Sequence, residues 1–431
     1  MACLDEVVTW LAQERAPFEV RQRARLMLLD TLGCAVSGFR APEVRRLLEL
    51  LGSIETGPVG WPGNAFSGSV GAAAYAFALG ACFDEACEGS ARAHGRPGVA
   101  TIAAGWALAR ARGGRLADLI DAVVIGYELA ARLGEVMRIR PGMHVDATFP
   151  SFGAAAAASW LLGTGAEGVK ASLQIAAAQL PVSLYLTARQ GANSRNTYLP
   201  HAATLGLQAA CAFAAGLRAP EGAIEEAQRV TLGHAALPAL ADAGEWLLLQ
   251  GYLKPWAGVR HLHYAAAAAQ ALREVVHDAA GIREIRLSIY PEALTYCGNR
   301  APETTLQAQF SLSWAVAAML VHGELGPEAF GAEALADPRI RLLEHLVVTE
   351  ARATDPQGPP RCAALVVTDR AGPHRATIDR VEGDPGMPLS AESVSAKFRR
   401  FSEPSLGAAG AQRLDELLRS ADEDIALAGL W

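Results

Sequence analysis

The sequence predicts a mainly α protein, a large all-helical domain carrying a smaller α/β unit, and three observations point there. Up to about residue 270 nearly every segment places apolar residues at helical spacing. After Ala280 the period becomes two, as in half-buried strands. Of the 431 residues 51% are hydrophobic and only 19% charged, a composition that buries a large core and leaves little chain disordered.

In chain order, helices are expected over 20–38, 99–112, 116–134, 152–163, 166–181 and 201–216, separated by Gly- or Pro-bearing turns. The first ends in Leu32-Gly33-Cys34-Ala35-Val36-Ser37-Gly38, where small side chains permit close helix contact. Gly153–Ala158 and Ala265–Ala269 have almost no side-chain bulk and no polar face, so other helices must surround them. Ile282–Tyr290, His345–Ala351 and Ala363–Thr368 alternate like strands. Residues 368–375 read as a turn and Ala376–Val381 as the returning arm of a hairpin, with Leu312–His322 helical in between. Gly383–Ser390 ends this unit, and Ser390–Phe401 and Gly410–Ala428 are helical again. Two helices cannot fold alone, so they are expected to rejoin the first domain. The expected division is 1–272 for the first part of the helical domain, 273–388 for the α/β unit and 389–431 for the returning helices.

The net charge of −7 argues against a nucleic-acid or anionic-membrane partner. No basic segment precedes an apolar run at the amino terminus, and charged residues, Pro or Gly interrupt each alanine-rich stretch before it could span a bilayer, so a cytoplasmic protein is expected. The seven cysteines are odd in number and mostly in apolar contexts, which reads as reduced, buried thiols. Cys82 and Cys87 flank Asp84, but no CxxC or paired-His motif completes a ligand set, so neither metal nor cofactor is expected.

The most informative stretch is Arg92-Ala93-His94-Gly95-Arg96-Pro97-Gly98, ahead of the apolar run Val99–Arg110. Its glycines and proline bend the chain so that a ligand can approach closely. The helix that follows would aim its amide N–H groups at that point, a place for a carboxylate. A second unusual histidine, in Pro141-Gly142-Met143-His144, again precedes an apolar helix.

In their order and spacing these pieces resemble the MmgE/PrpD family, which includes 2-methylcitrate dehydratase, cis-aconitate decarboxylase and iminodisuccinate epimerase. The resemblance covers essentially the whole chain. It rests on Leu28-Leu29-Asp30-Thr31-Leu32-Gly33-Cys34, Asp84 through Gly98, Gly126-Tyr127-Glu128 with Arg132-Leu133-Gly134, and Gly142-Met143-His144 before Phe152-Gly153-Ala154-Ala155. Lys254-Pro255-Trp256 with His263, Tyr296 with Asn299-Arg300-Ala301-Pro302, and Phe310-Ser311-Leu312 complete it. The resemblance implies a helical domain with an α/β lid, a homodimer, an active site in the cleft between the domains, and metal-free chemistry beside a carboxylate. It assigns catalytic roles to Asp84, His94, His144, Lys254 and Tyr296; Arg195, Glu88 and His263 are expected to bind substrate. Two positions depart from the family pattern: Arg195 stands where relatives usually carry lysine, and Glu88 where the decarboxylase-like members carry a small hydroxyl residue.

Breaking a C–H or C–CO₂ bond beside a carboxylate leaves an enolate-like carbanion, which cationic groups in a dry pocket stabilise. The histidines titrate near neutrality and suit proton transfer, Arg195 suits a bidentate carboxylate clamp, and Tyr296 can donate a proton. The function expected is a lyase, a dehydratase or decarboxylase acting on a citrate- or aconitate-type acid or a derivative. An epimerase or isomerase that only moves a proton is the alternative, and a non-catalytic binding protein on the same fold a third reading. A Glu88–Arg195 pair is expected to offset the added carboxylate. Taken singly, Asp84 also suits a helix cap, Lys254 and Arg260 a solvated surface, Tyr296 a half-buried aromatic, and His261 a structural role.

Overall fold

A computed structural model describes residues 2–430 apart from 65, 235–236, 277–278, 353–360 and 421–422. Its helical body is built around Pro150–Leu161, which packs against Pro97–Ala111, Leu116–Val136, Gly165–Ala177 and Tyr198–Ala214. Ten of that helix's twelve residues are buried, as its lack of a polar face requires. Two glycines set how closely it crosses Leu116–Val136. A Cβ on Gly153 would lie 2.1 Å from Thr101 Oγ1, and one on Gly126 would lie 2.5 Å from the Gly153 carbonyl. Phe18–Gly38 and Val70–Phe83 form a neighbouring pair against the same body.

The α/β unit holds a four-stranded sheet in the order Val347–Ala351, Glu284–Ile289, Ala363–Thr368, Pro373–Ile378. The first pair is parallel, with Ile285 opposite Val347; the others are antiparallel, with Leu287 opposite Leu365 and Leu365 opposite Ala376. Ile285, Leu287 and Ile289 alternate inward with Ala363, Leu365 and Val367. Helices His263–Arg273 and Leu312–His322 pack on this sheet and on each other.

Three local expectations shift. His345 and Leu346 finish the helix Pro338–Leu346 rather than open the strand. The hairpin turn is tighter than 368–375: Asp369 Oδ1 accepts from the Ala371 and Gly372 amides, so the return strand starts at Pro373, not Ala376. The final stretch is one helical run, Ala391–Arg419, broken at Gly407, whose φ of 68° and ψ of 162° are non-helical. That run packs along Phe18–Gly38. Among the described residues no helix is long and apolar enough to cross a membrane.

Candidate active site

A cavity of about 380 Å³ is lined by residues far apart in sequence, and His94, His144, Arg195, Lys254 and Tyr296 all face it. Asp84, Glu88 and His263 do not line it.

The first wall follows the helix Val70–Phe83. Asp84 caps that helix with φ −86°, and the chain then reverses through Glu85, whose φ is +52°. His94 has φ +53°. Left-handed backbone costs energy for a residue with a Cβ, and two of the three such residues described are in this wall. Gly89–Ser90 pairs with Gly251–Tyr252, and the Ser90 and Gly95 amides exchange hydrogen bonds at 2.8 and 3.3 Å. The wall is thereby tied to the segment carrying Lys254.

The reversal at Glu85 separates two neighbouring acids. Asp84 turns away from the cavity and accepts a 2.7 Å hydrogen bond from Ser37 Oγ; burial pushes its pKa up to about 6. Its backbone carbonyl accepts from the Gly258 amide, which is a structural duty. Glu85 turns inward, 2% exposed, into a floor of charges. Its Oε1 accepts from Arg96 Nη1 at 3.0 Å and from Arg195 Nη1, and its Oε2 lies 3.4 Å from Lys254 Nζ. Arg96 Nη2 also donates to Asp146 Oδ2, and Arg195 Nη2 lies 3.3 Å from the same oxygen. Lys254 Nζ donates to the backbone carbonyls of Glu85 and, at 3.3 Å, Gly258.

Burial alone would raise both acids. The charges of Arg195, Arg96 and Lys254 overcome this and hold Glu85 well below the usual carboxylate range. Arg96, His144 and Arg195 do the same for Asp146, at about 2. Burial pulls Lys254 down, with Glu85 opposing. Three cations thus face two anions, an excess of one positive charge when Lys254 is protonated.

His144 is held by a short ladder: its amide donates to the Ser183 carbonyl and Ser183 Oγ donates to its carbonyl, both at 2.8 Å. The Asp146 amide donates to His144 Nδ1 at 3.2 Å. Burial, opposed by Asp146 and reinforced by Arg195 and Arg96, lowers its pKa to about 4. The ring is neutral at pH 7, and the hydrogen bond at Nδ1 assigns its proton to Nε2. His94 is exposed at the mouth, with its pKa lowered by partial burial and by Arg138. A row of rings crosses the mouth. His144 stacks on Tyr185 at 6.0 Å, Tyr185 meets Tyr296 edge-on at 5.9 Å, and Tyr296 stacks on His261 at 5.5 Å. Among the described residues no group of three or more His, Cys, Asp or Glu is placed to hold a metal ion.

Several assignments from sequence change. The helix Pro97–Ala111 does offer its amides to a carboxyl group, but that group is Glu88: its Oε1 accepts from Gly98 N at 2.8 Å and Val99 N at 3.1 Å. Glu88 is fully buried there, and burial pushes its pKa up to about 8. It therefore faces the helix terminus rather than the cavity, and it does not pair with Arg195, whose partners are Glu85 and Asp146. His263 begins a helix and is buried beside Trp256, 5.6 Å between ring centroids, away from the cavity. His261, which read as structural, is the histidine that faces the cavity, its Nδ1 2.9 Å from Tyr290 Oη. Lys254 and Arg260 are buried, not solvated. Sequence reasoning missed Glu85, Arg96, Asp146 and Tyr185. Arg96 and Asp146 each stand two residues after an assigned histidine, the one signal that offered them.

The fold and the cavity define a mainly α protein with an α/β unit and a buried, charge-rich pocket edged by titratable rings. Family models for the MmgE/PrpD N-terminal domain and the MmgE/PrpD C-terminal domain match residues 4–235 and 256–423. The chain belongs to the MmgE/PrpD family, whose members are generally lyases of the dehydratase type. No curated protein matches it.

Proposed function

We propose that the protein is a lyase that removes water or carbon dioxide from a small carboxylic acid of citrate or aconitate type, or a derivative of one, without a metal or cofactor. The observation that carries this reading is the cationic floor beneath a neutral histidine whose Nε2–H is free of the Asp146 contact. A substrate carboxylate is drawn to the excess positive charge of Arg96, Arg195 and Lys254. Those cations also stabilise the second charge that develops as the carbanion delocalises into the carboxylate.

The two histidines then divide the work. His94, neutral at pH 7 and open to solvent, accepts the proton from carbon. His144 donates a hydrogen bond to the enolate oxygen without giving up its proton, because the neutral ring is a far weaker acid than imidazolium. In a dehydration the electron pair left on carbon forms the C=C bond as the C–O bond breaks. Tyr296 gives its phenolic proton to the departing hydroxide, forming water, and the proton on His94 returns the phenolate to the phenol through solvent. In a decarboxylation the C–CO₂ bond supplies the electron pair, Tyr296 protonates the carbon, and a proton from solvent returns the phenolate to the phenol.

The test is incubation with citrate-, aconitate- and malate-type acids in deuterated water, followed by NMR. Loss of water or carbon dioxide is the expected result. Deuterium wash-in alone makes the protein an epimerase or isomerase. No change in any acid overturns an enzymatic role on this class.

A further inference from the structure

The motif Leu28-Leu29-Asp30-Thr31-Leu32-Gly33 lies outside the cavity and takes no part in the chemistry above. Asp30 is 1% exposed, in the middle of Phe18–Gly38. Its Oδ1 accepts a 2.7 Å hydrogen bond from Lys397 Nζ, a residue 3% exposed on the helical run Ala391–Arg419. Gly33 makes the meeting possible, since a Cβ there would come within 3.2 Å of the Phe398 Cα, and the two helices could not then lie so close.

An ammonium group has three N–H donors, and the other two of Lys397 point to the site. One donates to the Ala86 carbonyl and one to the Lys254 carbonyl, both at 2.7 Å. Ala86 follows Glu85 directly, and Lys254 is the other member of the Glu85–Lys254 pair. A single buried cation therefore grips the main chain on both sides of that pair, while Asp30 neutralises it. Removing a charge from water is costly unless every donor is met, and here all three are.

We infer that Lys397, held by Asp30, is a positioning residue: it sets the spacing between the Glu85 wall and the Lys254 segment, so the C-terminal helix is part of the catalytic apparatus. Its catalytic consequence rests on the lyase reading; its structural core does not. The charge of Lys397 also contributes to lowering Lys254. Lys254 is faced as well by Glu85, Arg96, Cys87 and the Gly258 carbonyl, and His263 lies close by.

Lys397→Met alone strands Asp30 in the interior and risks unfolding, so the decisive variant is Asp30→Leu/Lys397→Met, which replaces the pair with apolar groups. Amide hydrogen exchange on the full chain, read by mass spectrometry, needs no substrate. The double variant is expected to fold and to lose protection in 84–90 and 251–258, while Pro97–Ala111 and the sheet keep theirs. On any acid that the wild type turns over, kcat should fall by about 10²-fold, the scale of a 1 Å misplacement, with KM changed much less. Unchanged protection in both segments overturns the inference. So does an equal loss across all segments, which is general destabilisation. If exchange changes as expected and the wild type acts on no acid, the lyase reading fails and the brace stands.

Discussion

The floor and the mouth of the cavity are built on opposite principles. On the floor, Glu85, Arg96, Asp146, Arg195 and Lys254 are all buried and cross-linked by ion pairs. At the mouth, where His94 is exposed, Tyr185, Tyr296 and His261 meet ring to ring, and Tyr296 is 42% exposed. A fixed field and mobile protons need different surroundings. The first needs exclusion of water and many partners; the second needs solvent access and few. Floor substitutions should therefore cost stability, and mouth substitutions rate.

The largest effect is expected from Glu85→Gln. It leaves three buried cations short of their shared acceptor, and breaking a buried ion pair from one side costs about 3–5 kcal/mol. Urea unfolding measures this, and a change within experimental error would show that the floor is not one network. Next comes Tyr296→Phe, which should lower turnover by about 10²–10⁴-fold, the range of a general acid, and leave unfolding within about 0.5 kcal/mol of wild type. A large stability loss there would erase the contrast. Arg195→Lys sits between the two. An ammonium cannot span Glu85 and Asp146 as a guanidinium fork does, so about 1.5–3 kcal/mol of stability should go with the lost charged hydrogen bond.

Two smaller effects sharpen the boundary of the site. Glu88 ionises at about 8 in the folded chain, above its ordinary 4.5. Its contribution to stability is fully present below pH 4.5 and is lost as pH rises through about 8, because the unfolded chain ionises first. Glu88→Gln should flatten that decline in thermal unfolding between pH 5 and 9 without altering which acids are accepted. A change in acid preference would return Glu88 to the pocket. The smallest effect is that of a chelator. The floor already supplies the positive charge, so dialysis against EDTA should leave turnover unchanged, and a loss restored by a divalent ion would contradict the mechanism.

What was legible in the sequence follows from the same contrast. His94, His144, Arg195, Lys254 and Tyr296 sit beside turns or helix ends, where glycine, proline or a change of period leaves a mark. The helices were readable because their apolar spacing repeats over several turns. That Glu85 rather than Asp84 lines the cavity was not. It depends on a single backbone reversal at φ +52°, which neither residue type announces. His261 and His263 differ likewise only in their phase relative to a helix that begins at His263. Glu88 was misplaced because a free helix terminus and one capped by a carboxyl group from ten residues earlier look alike in sequence.

The docking of Ala391–Arg419 along Phe18–Gly38 has a consequence for the order in which the chain is made. Some 370 residues separate the partners, and at ribosomal rates of roughly 5–20 residues per second the first helix waits about 20–75 s for its cover. During that time the residues meant to face Phe398, Gly33 among them, are open to other chains. A chain stopped before residue 391 would present that bare helix permanently. Such truncations should collect in aggregates rather than as weakened but soluble protein.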